Sequence, residues 1–226
     1  MNGFERLDVV IPTLNAGATL AQTLASLPPG AAVTITDGDS GDDTLSIAQG
    51  SGRRIIQGPA GRGRQLAAGA AASERQWLLF LHADTTVEPG GWGTIAAHMA
   101  RPEGEGVAAS LRLAIDDPSW QARIIERGVA LRVRWLGLPY GDQGLLIHRD
   151  LYRAVGGYRD LPLMEDVDIM RRIGRRRHVA LDAEAHTSAV RWRRRGWLGQ
   201  TLLNLTCLSL YGLGVPAERI ARLYGR

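Results

Sequence analysis

Apolar residues fall in short runs separated by helical patterns and turn-forming residues, and the alternation is clearest up to residue 81. Leu7-Asp8-Val9-Val10-Ile11 predicts a strand ended by Pro12, followed by a helix over 19–27. A second strand over 32–36 runs into Asp37-Gly38-Asp39-Ser40-Gly41, a turn-forming cluster, and then into a short helix over 42–49. Residues 54–56 predict a third strand and 63–72 an alanine-rich helix. Trp77-Leu78-Leu79-Phe80-Leu81 is apolar throughout, as a strand buried on both faces would be. Strand and helix repeated in this way predict an α/β fold around a mostly parallel sheet with right-handed crossovers.

The second half is less regular. Residues 107–115 and 144–148 predict strands, with a helix over 119–135 between them. A helix begins at Glu165 and runs to 172, and 178–181 predicts a short strand. Residues 197–211 are apolar but interrupted by Gln200, Asn204 and Thr206. That run is shorter than the ~20 residues a bilayer crossing needs, so it predicts a core or interfacial helix. A last helix over 216–224 carries Pro216 at its first turn. There is no internal repeat and no low-complexity linker, so the 226 residues are expected to form one domain.

Composition narrows the chemistry. The chain is 45% hydrophobic and 22% charged, which excludes disordered and fibrous classes. All 27 of its basic residues are arginine, and the lack of lysine removes Schiff-base chemistry and a Walker-type phosphate lysine. The lone Cys207 has no partner for a disulfide or a zinc site and sits among apolar residues. Glu5, Arg6 and Asp8 precede the first apolar run, which fits no signal peptide and predicts a cytoplasmic protein. Residues 171–195 hold nine arginines against Asp182 and Glu184, a local excess of seven positive charges on an otherwise slightly acidic chain. Such a block is either a solvated face or a surface for an anionic partner.

In an open parallel sheet, ligands bind beyond the carboxyl ends of the strands. Three polar clusters fall there: Pro12-Thr13-Leu14-Asn15, Asp37-Gly38-Asp39-Ser40 and His82-Ala83-Asp84-Thr85. Singly, Thr13 and Ser40 read equally as helix caps and Asp37 as a turn former; three clusters on one edge are harder to explain by capping. Asp84 ends a wholly apolar strand, where a carboxylate is poorly solvated unless a cation faces it. A magnesium or manganese ion shared with substrate phosphates is one answer, and a cap on the turn into Pro89 is the other. Glu165, Asp166 and Asp168 open a helix, where the macrodipole favours acids whatever their role. One of the three could be a general base, and composition does not choose among them.

The segments Ile11-Pro12-Thr13-Leu14-Asn15, Thr36-Asp37-Gly38-Asp39-Ser40-Gly41-Asp42-Asp43-Thr44, Phe80-Leu81-His82-Ala83-Asp84-Thr85 and Glu165-Asp166-Val167-Asp168 resemble, in order and spacing, a family 2 glycosyltransferase of the GT-A fold. The likeness runs over about 7–175. More narrowly, 58–65, 81–85, 141–144 and 191–197 resemble a bacterial subfamily described as arsenosugar-biosynthesis-type glycosyltransferases.

The resemblance implies a Rossmann-like GT-A sheet with a helical C-terminal tail. Residues 1–100 would bind the nucleotide sugar, 101–190 would carry the acceptor and catalytic half, and 191–226 would form a basic tail. It implies a hexosyltransferase that inverts the anomeric centre of a nucleotide-diphosphate sugar, using Mn2+ or Mg2+. The donor cradle would be Pro12, Thr13, Leu14, Asn15, Asp37, Asp39, Arg62, Arg64, His82 and Ala83. Of these, Thr13 and Leu14 would border the base, Asp37 would accept a hydrogen bond from it and favour uridine, and Arg64, with Arg62, would contact the nucleotide. Asp84 matches the last acid of the Asp-X-Asp metal motif, whose first acid is here His82. Asp166 matches the catalytic base, and His186 would be a third metal contact.

The acceptor implied is a small molecule or a lipid-linked one. Arg191–Arg195 would clamp the diphosphate or, with Trp192, Trp197 and the 197–211 helix, rest on the inner face of an anionic membrane. A sugar-phosphate nucleotidyltransferase would want a glycine-rich basic loop after the first strand, where Thr13-Leu14-Asn15-Ala16-Gly17 stands instead. A nucleic-acid-binding module would need aromatics on an exposed sheet, so no nucleic-acid partner is expected. A non-catalytic homologue, with metal binding lost at His82, is the remaining alternative.

Overall fold

A computed structural model describes residues 3–225. The strands are β1 (Leu7–Thr13), β2 (Ala32–Asp37), β3 (Arg54–Gln57), β4 (Trp77–Phe80), β5 (Thr85–Val87), β6 (Ala108–Asp116), β7 (Leu145–His148) and β8 (His178–Ser188). The helices are α1 (Leu20–Ala25), α2 (Thr44–Gly50), α3 (Arg62–Ala72), α4 (Gly91–Met99), α5 (Trp120–Leu136), α6 (Arg149–Ala154), α7 (Glu165–Ile173), α8 (Val190–Arg195), α9 (Trp197–Gly212) and α10 (Ala217–Tyr224). The strands form one sheet in the order β3-β2-β1-β4-β7-β6-β8-β5.

β3, β2, β1 and β4 are parallel, as the alternation of strand and helix predicts. Beyond β4 the sheet is mixed: β7 is antiparallel to β4 and β6, β6 and β8 are parallel, and β5 is antiparallel to β8. β8 reaches Ser188, well past the predicted end at 181. Its buried positions there are Ala183, Ala185 and Thr187, small residues whose period of two is faint to the eye. β5, α4, α6 and α8 were not anticipated either; each is short, and α4 starts among glycines.

Alternate residues of β1 and β4 enter opposite cores. Leu7, Val9, Ile11, Trp77 and Leu79 pack on one side. Val10, Leu78 and Phe80 pack on the other with Leu145, Ile147 and Ile169. α3 lies very close to the sheet: a Cβ at Gly69 would sit 2.3 Å from Val10 Cγ1, so only glycine permits this approach. The C-terminal helices add a separate cluster in which Cys207 and Ile220 meet Leu163 and Val167, and Cys207 is a buried free thiol. Among the described residues no helix is long and apolar enough to cross a membrane.

Candidate active site

The loops after β1 and β2 are laced together. Asn15 N donates to Ser40 Oγ at 2.9 Å, and Gly41 N donates back to Asn15 Oδ1 at 2.9 Å. Gly17 N donates to Asp42 Oδ2 at 2.9 Å and Ala16 N to Thr44 Oγ1 at 2.7 Å. Asn15 and Asp39 hold positive φ of 52° and 68°, a conformation that Asn and Asp tolerate better than most residues. Gln65 on α3 fixes both loops from beneath, its Nε2 donating to Thr13 O at 2.7 Å and Thr36 O at 2.6 Å.

Asp37 lies inside this lacing. Its carboxylate accepts from Thr13 Oγ at 2.9 Å, Ser40 N at 3.0 Å and Ser40 Oγ at 2.6 Å, and the residue is 2% exposed. Burial opposes its charge, but the bonds from Ser40 and Thr13 outweigh that and hold the pKa below the ordinary aspartate value. Asp37 therefore works first as an organiser of the turn.

Above the loops opens a cavity of about 950 Å3 lined by Pro12, Thr13, Leu14 and Asn15 from the first strand end, by Arg62 and Arg64 from the start of α3, and by His82, Ala83 and Asp84 after β4. The sequence-expected donor residues are thus gathered on one wall, except Asp37 and Asp39, which do not line it. Arg64 pairs with Asp160 across the rim at 2.6 Å. Leu14 is half-exposed at the rim, able to pack against a ring but not to stack on it.

A smaller cavity of about 70 Å3 adjoins the first and shares Arg62 and His82 with it. Tyr140, Asp142, Asp166 and Trp192 are among the residues around it, with Gln200 and Asn204 of α9 and Tyr224 of α10. The three acids at the start of α7 separate here. Glu165 is 1% exposed and accepts from Arg62 Nε, while its Oε2 is a buried acceptor with no hydrogen-bond partner. Asp168 pairs with Arg172 at 2.5 Å and takes no part in either cavity. Asp166 alone of the three lines the small cavity, its Oδ2 accepting from Gly141 N at 2.9 Å and its Oδ1 from Val167 N at 2.8 Å. Met164, just before the helix, adopts φ 67° and so turns the chain sharply into this first turn.

Arg62 joins the two cavities. Its desolvation works against the charge, but Glu165 and Asp166 overcome that and raise its pKa above the usual arginine value. Its Nη1 lies 3.3 Å from His82 Nε2. A guanidinium can only donate, so Arg62 bonds this nitrogen in the tautomer that leaves Nε2 without a proton. Gly141 backs the ring: a Cβ there would be 2.5 Å from His82 Nε2. Burial pushes the nearby Tyr140 phenol up to about 12, so it stays protonated at neutral pH.

Two further expectations change. His186 lines neither cavity; it stands on β8 opposite Thr86, with Nε2 3.3 Å from Glu184 Oε2. No group of three or more His, Cys, Asp or Glu side chains that could hold a metal exists among the described residues. The arginine block is also not a single clamp. Arg172 serves Asp168, Arg193 pairs with Asp117 at 2.6 Å, and Arg195 donates to Tyr224 O at 3.1 Å. The side chain of Arg191 lies outside the described residues. Trp192 does not face a membrane: it is 5% exposed, with its ring stacked on Trp197.

The profile of the family described as Glycosyl transferase family 2 matches residues 8–159. The chain belongs to that family. An uncharacterised glycosyltransferase of Mycobacterium tuberculosis strain H37Rv is 28% identical to it over 96 residues, 42% of this chain and 44% of the relative. The alignment thus spans less than half the length of the curated relative it matches. Among solved structures, S. aureus TarS superposes with a TM-score of 0.64 at 15% identity, over 80% of this chain and 36% of its own. The mannosyltransferase PcManGT from Pyrobaculum calidifontis, solved with GDP-Man and Mn2+, gives 0.59 at 17% identity, over 80% and 56%. Glucosyl-3-phosphoglycerate synthase from Mycobacterium tuberculosis, solved with Mn2+, UDP and glucosyl-3-phosphoglycerate, gives 0.54 at 19% identity, over 80% and 70%. The fold of this family 2 chain is accordingly GT-A, a mixed α/β sheet flanked by helices.

Three elements of the site were absent from the sequence-based expectation: Gln65, the Arg62–Glu165 pair, and the wall formed by Trp192, Gln200, Asn204 and Tyr224. Gln65 did leave a trace, as the last residue of the 58–65 segment and as the one polar side chain among glycine, leucine and alanine on the buried side of α3. The others join segments far apart in the chain and leave none.

Proposed function

We propose that this family 2 chain is an inverting hexosyltransferase that moves a sugar from a UDP-linked donor to an acceptor hydroxyl, with Asp166 as the base. The observation that carries this reading is that Asp166, and neither Glu165 nor Asp168, lines the 70 Å3 cavity, which shares Arg62 and His82 with the large cleft. The bound nucleotides of the neighbours support the donor class: UDP-GlcNAc in TarS, GDP-Man in PcManGT and UDP in glucosyl-3-phosphoglycerate synthase. The donor half corresponds to residues 1–100 and the catalytic half to 101–190, with the basic tail from 191 supplying part of the acceptor wall.

In this reading the nucleotide lies in the 950 Å3 cavity, with Arg62 and Arg64 beside its diphosphate. The acceptor oxygen attacks the anomeric carbon from the side of the smaller cavity. The bond to the diphosphate breaks, its electron pair leaves with the phosphate, and Asp166 takes the acceptor proton. A single in-line displacement inverts the centre and needs no covalent nucleophile. Arg62 is held rigid by Glu165, so its positive charge is already in place as the leaving group gains negative charge.

For a divalent ion the fit is that of a shared site. Asp84 brings one carboxylate to the cavity, and magnesium or manganese commonly needs only one or two when substrate phosphates complete the shell. Mn2+ or Mg2+ bound there would neutralise the departing diphosphate. His82 stands where a second acid would, with its Nε2 3.3 Å from Arg62 Nη1. The narrower arsenosugar-type assignment rests on 58–65, 81–85, 141–144 and 191–197; the first two supply residues to both cavities and the last two to the smaller one. We place the enzyme in the cytoplasm, at the inner face of the membrane when its acceptor is lipid-linked.

The experiment is thermal shift with UDP, GDP, CDP and ATP, with and without manganese or magnesium, repeated on Asp166→Asn. Stabilisation by UDP in both proteins, with sugar transfer lost only in the variant, is the expected result. Stabilisation by a nucleoside triphosphate but not by UDP would favour nucleotidyl transfer, and no shift with any nucleotide a non-catalytic homologue.

A further inference from the structure

α5 has one face in the protein and one outside it. Ala122 and Val133 are buried, and Ile125 and Val129 pack against the cluster that holds Trp192. On the opposite side, at 3.6 residues per turn, Trp120, Ile124, Leu131 and Trp135 fall on one stripe. All four are exposed, the two tryptophans at 68% and 65%. Arg127 and Arg134, both exposed, run along one edge of the stripe, and the helix carries four arginines against the single acid Glu126.

α9 repeats the pattern beside it. The two helices are in contact, and Trp197 at the start of α9 packs in the same cluster as Ile125 and Val129. Gln200 and Cys207 are the buried side of α9. Leu198, Leu202 and Leu205 are on the other side, exposed at 80%, 63% and 50%. Singly exposed apolar residues are ordinary; two neighbouring helices that each show a periodic apolar stripe are not.

We propose that the outer faces of α5 and α9 are a docking surface for an anionic lipid bilayer. Charge decides the occupant. A stripe of Trp, Ile and Leu edged by arginine and almost free of acid matches an interfacial helix lying among acidic headgroups, with tryptophan at headgroup depth. The arginines contribute through the negative surface potential, roughly fivefold in binding for each one near the lipid. Since no described helix can span the membrane, attachment is by lying in its surface. The surface is not the arginine block at 191–195 but the neighbouring stripe, because Trp192 is buried and Arg193 and Arg195 are engaged within the protein.

The placement has a consequence for the acceptor. Gln200 and Asn204 line the small cavity beside Asp166, while Leu198, Leu202 and Leu205 point away on the opposite face of the same helix. A docked α9 therefore holds the near wall of the small cavity one helix diameter, about 10 Å, from the headgroups, with the base across that cavity. An acceptor hydroxyl on a lipid head would reach it without leaving the membrane. The docking surface itself stands without the transfer reaction, because it rests on exposed residues that neither cavity uses.

The test is co-sedimentation of the full chain with vesicles of phosphatidylcholine alone and of phosphatidylcholine mixed with phosphatidylglycerol, at low and high salt. We expect retention on the anionic vesicles only, weakened by salt. Trp120→Ser with Trp135→Ser should reduce it about tenfold or more, and Arg127→Glu with Arg134→Glu should do likewise. Circular dichroism and the UDP-induced thermal shift should be unchanged in both variants, which separates lost docking from lost fold or lost donor binding. Equal binding to neutral vesicles, no binding to either, or full binding by the tryptophan variant would overturn the proposal. So would a concentration-dependent dimer abolished by the same substitutions, since a second copy would then be the occupant.

Discussion

The proposed donor side and the proposed acceptor side of this site are built in different ways. The donor side comes from the ends of adjacent parallel strands, whose loops exchange short-range backbone and side-chain hydrogen bonds and are fixed from below by Gln65. The acceptor side has no such frame. It is assembled from the segment at 140–142, the first turn of α7, Trp192 and two C-terminal helices, brought together by packing across the fold. Damage on the first side should disturb nucleotide binding and stability together, whereas on the second it should disturb transfer alone. Arg62 belongs to both sides and should not obey the division.

The largest effect expected is on transfer. Asp166→Asn should lower turnover by about 10²–10⁴-fold while the UDP thermal shift persists, because the amide still fills the site but cannot take a proton. Turnover close to wild type would remove Asp166 from the role of base.

Arg62→Met tests the shared residue. It leaves Glu165 buried and unpaired, and should cost about 3–5 kcal/mol of stability, read by urea denaturation. Adding Glu165→Gln should recover much of that loss without restoring transfer. If the single variant is as stable as wild type, the pair is not the structural link between the two cavities.

Gln65→Ala removes two buried hydrogen bonds from the donor frame, leaving Thr13 O with Gly38 N and Thr36 O with the Thr13 hydroxyl. A loss of about 2–3 kcal/mol, with weaker UDP binding, is expected. An unchanged UDP affinity would show that the loop lacing holds the cradle without α3.

The smallest effect separates the halves by pH. His178 on β8 is buried enough that its pKa falls from 6.5 to about 4, so the unfolded chain binds its proton first. The stability it contributes is complete above 6.5 and is lost as pH falls from there toward about 4. The contribution is at most about 3–4 kcal/mol, less the screening its partial exposure allows, and His178→Gln should flatten this part of the melting-temperature profile. Asp37 acts lower. Its depressed pKa holds its contribution above the ordinary aspartate value of 3.8 and gives it up only as pH falls further. A single transition at one pH, unaffected by His178→Gln, would refute the separation.

Legibility in the sequence followed the same division. The first four strands and their helices were readable because parallel, doubly buried strands are continuous apolar runs broken by turn residues. Their ends gathered the expected residues on one wall of the large cavity, from Pro12 to Asp84. Asp37 was legible as a position but not in its immediate work, because whether a carboxylate meets a ligand or its own turn is set by hydrogen bonds a few residues away. β8 was cut short in the reading because alanine and threonine mark a buried strand face only weakly. His186 lines neither cavity although Ser188, two residues on along the same face of β8, lines the larger one, and the register of β8 against β5 and β6 that sets this is a tertiary fact.

The sequence by itself determined the alternating α/β layout, the sheet edge that carries the polar loops and the membership in a glycosyltransferase family, because each rests on local periodicity and on motifs contiguous in the chain. Only the tertiary structure decided which of Glu165, Asp166 and Asp168 lines the 70 Å3 cavity beside Trp192, since the three share one helix turn and differ in whether Arg62, the peptide of Gly141 or Arg172 meets them. It alone decided that Trp192 lies inside while Trp120 and Trp135 stay outside. A tryptophan's neighbours are chosen by how helices pack, and packing pairs residues that the order of the chain keeps far apart.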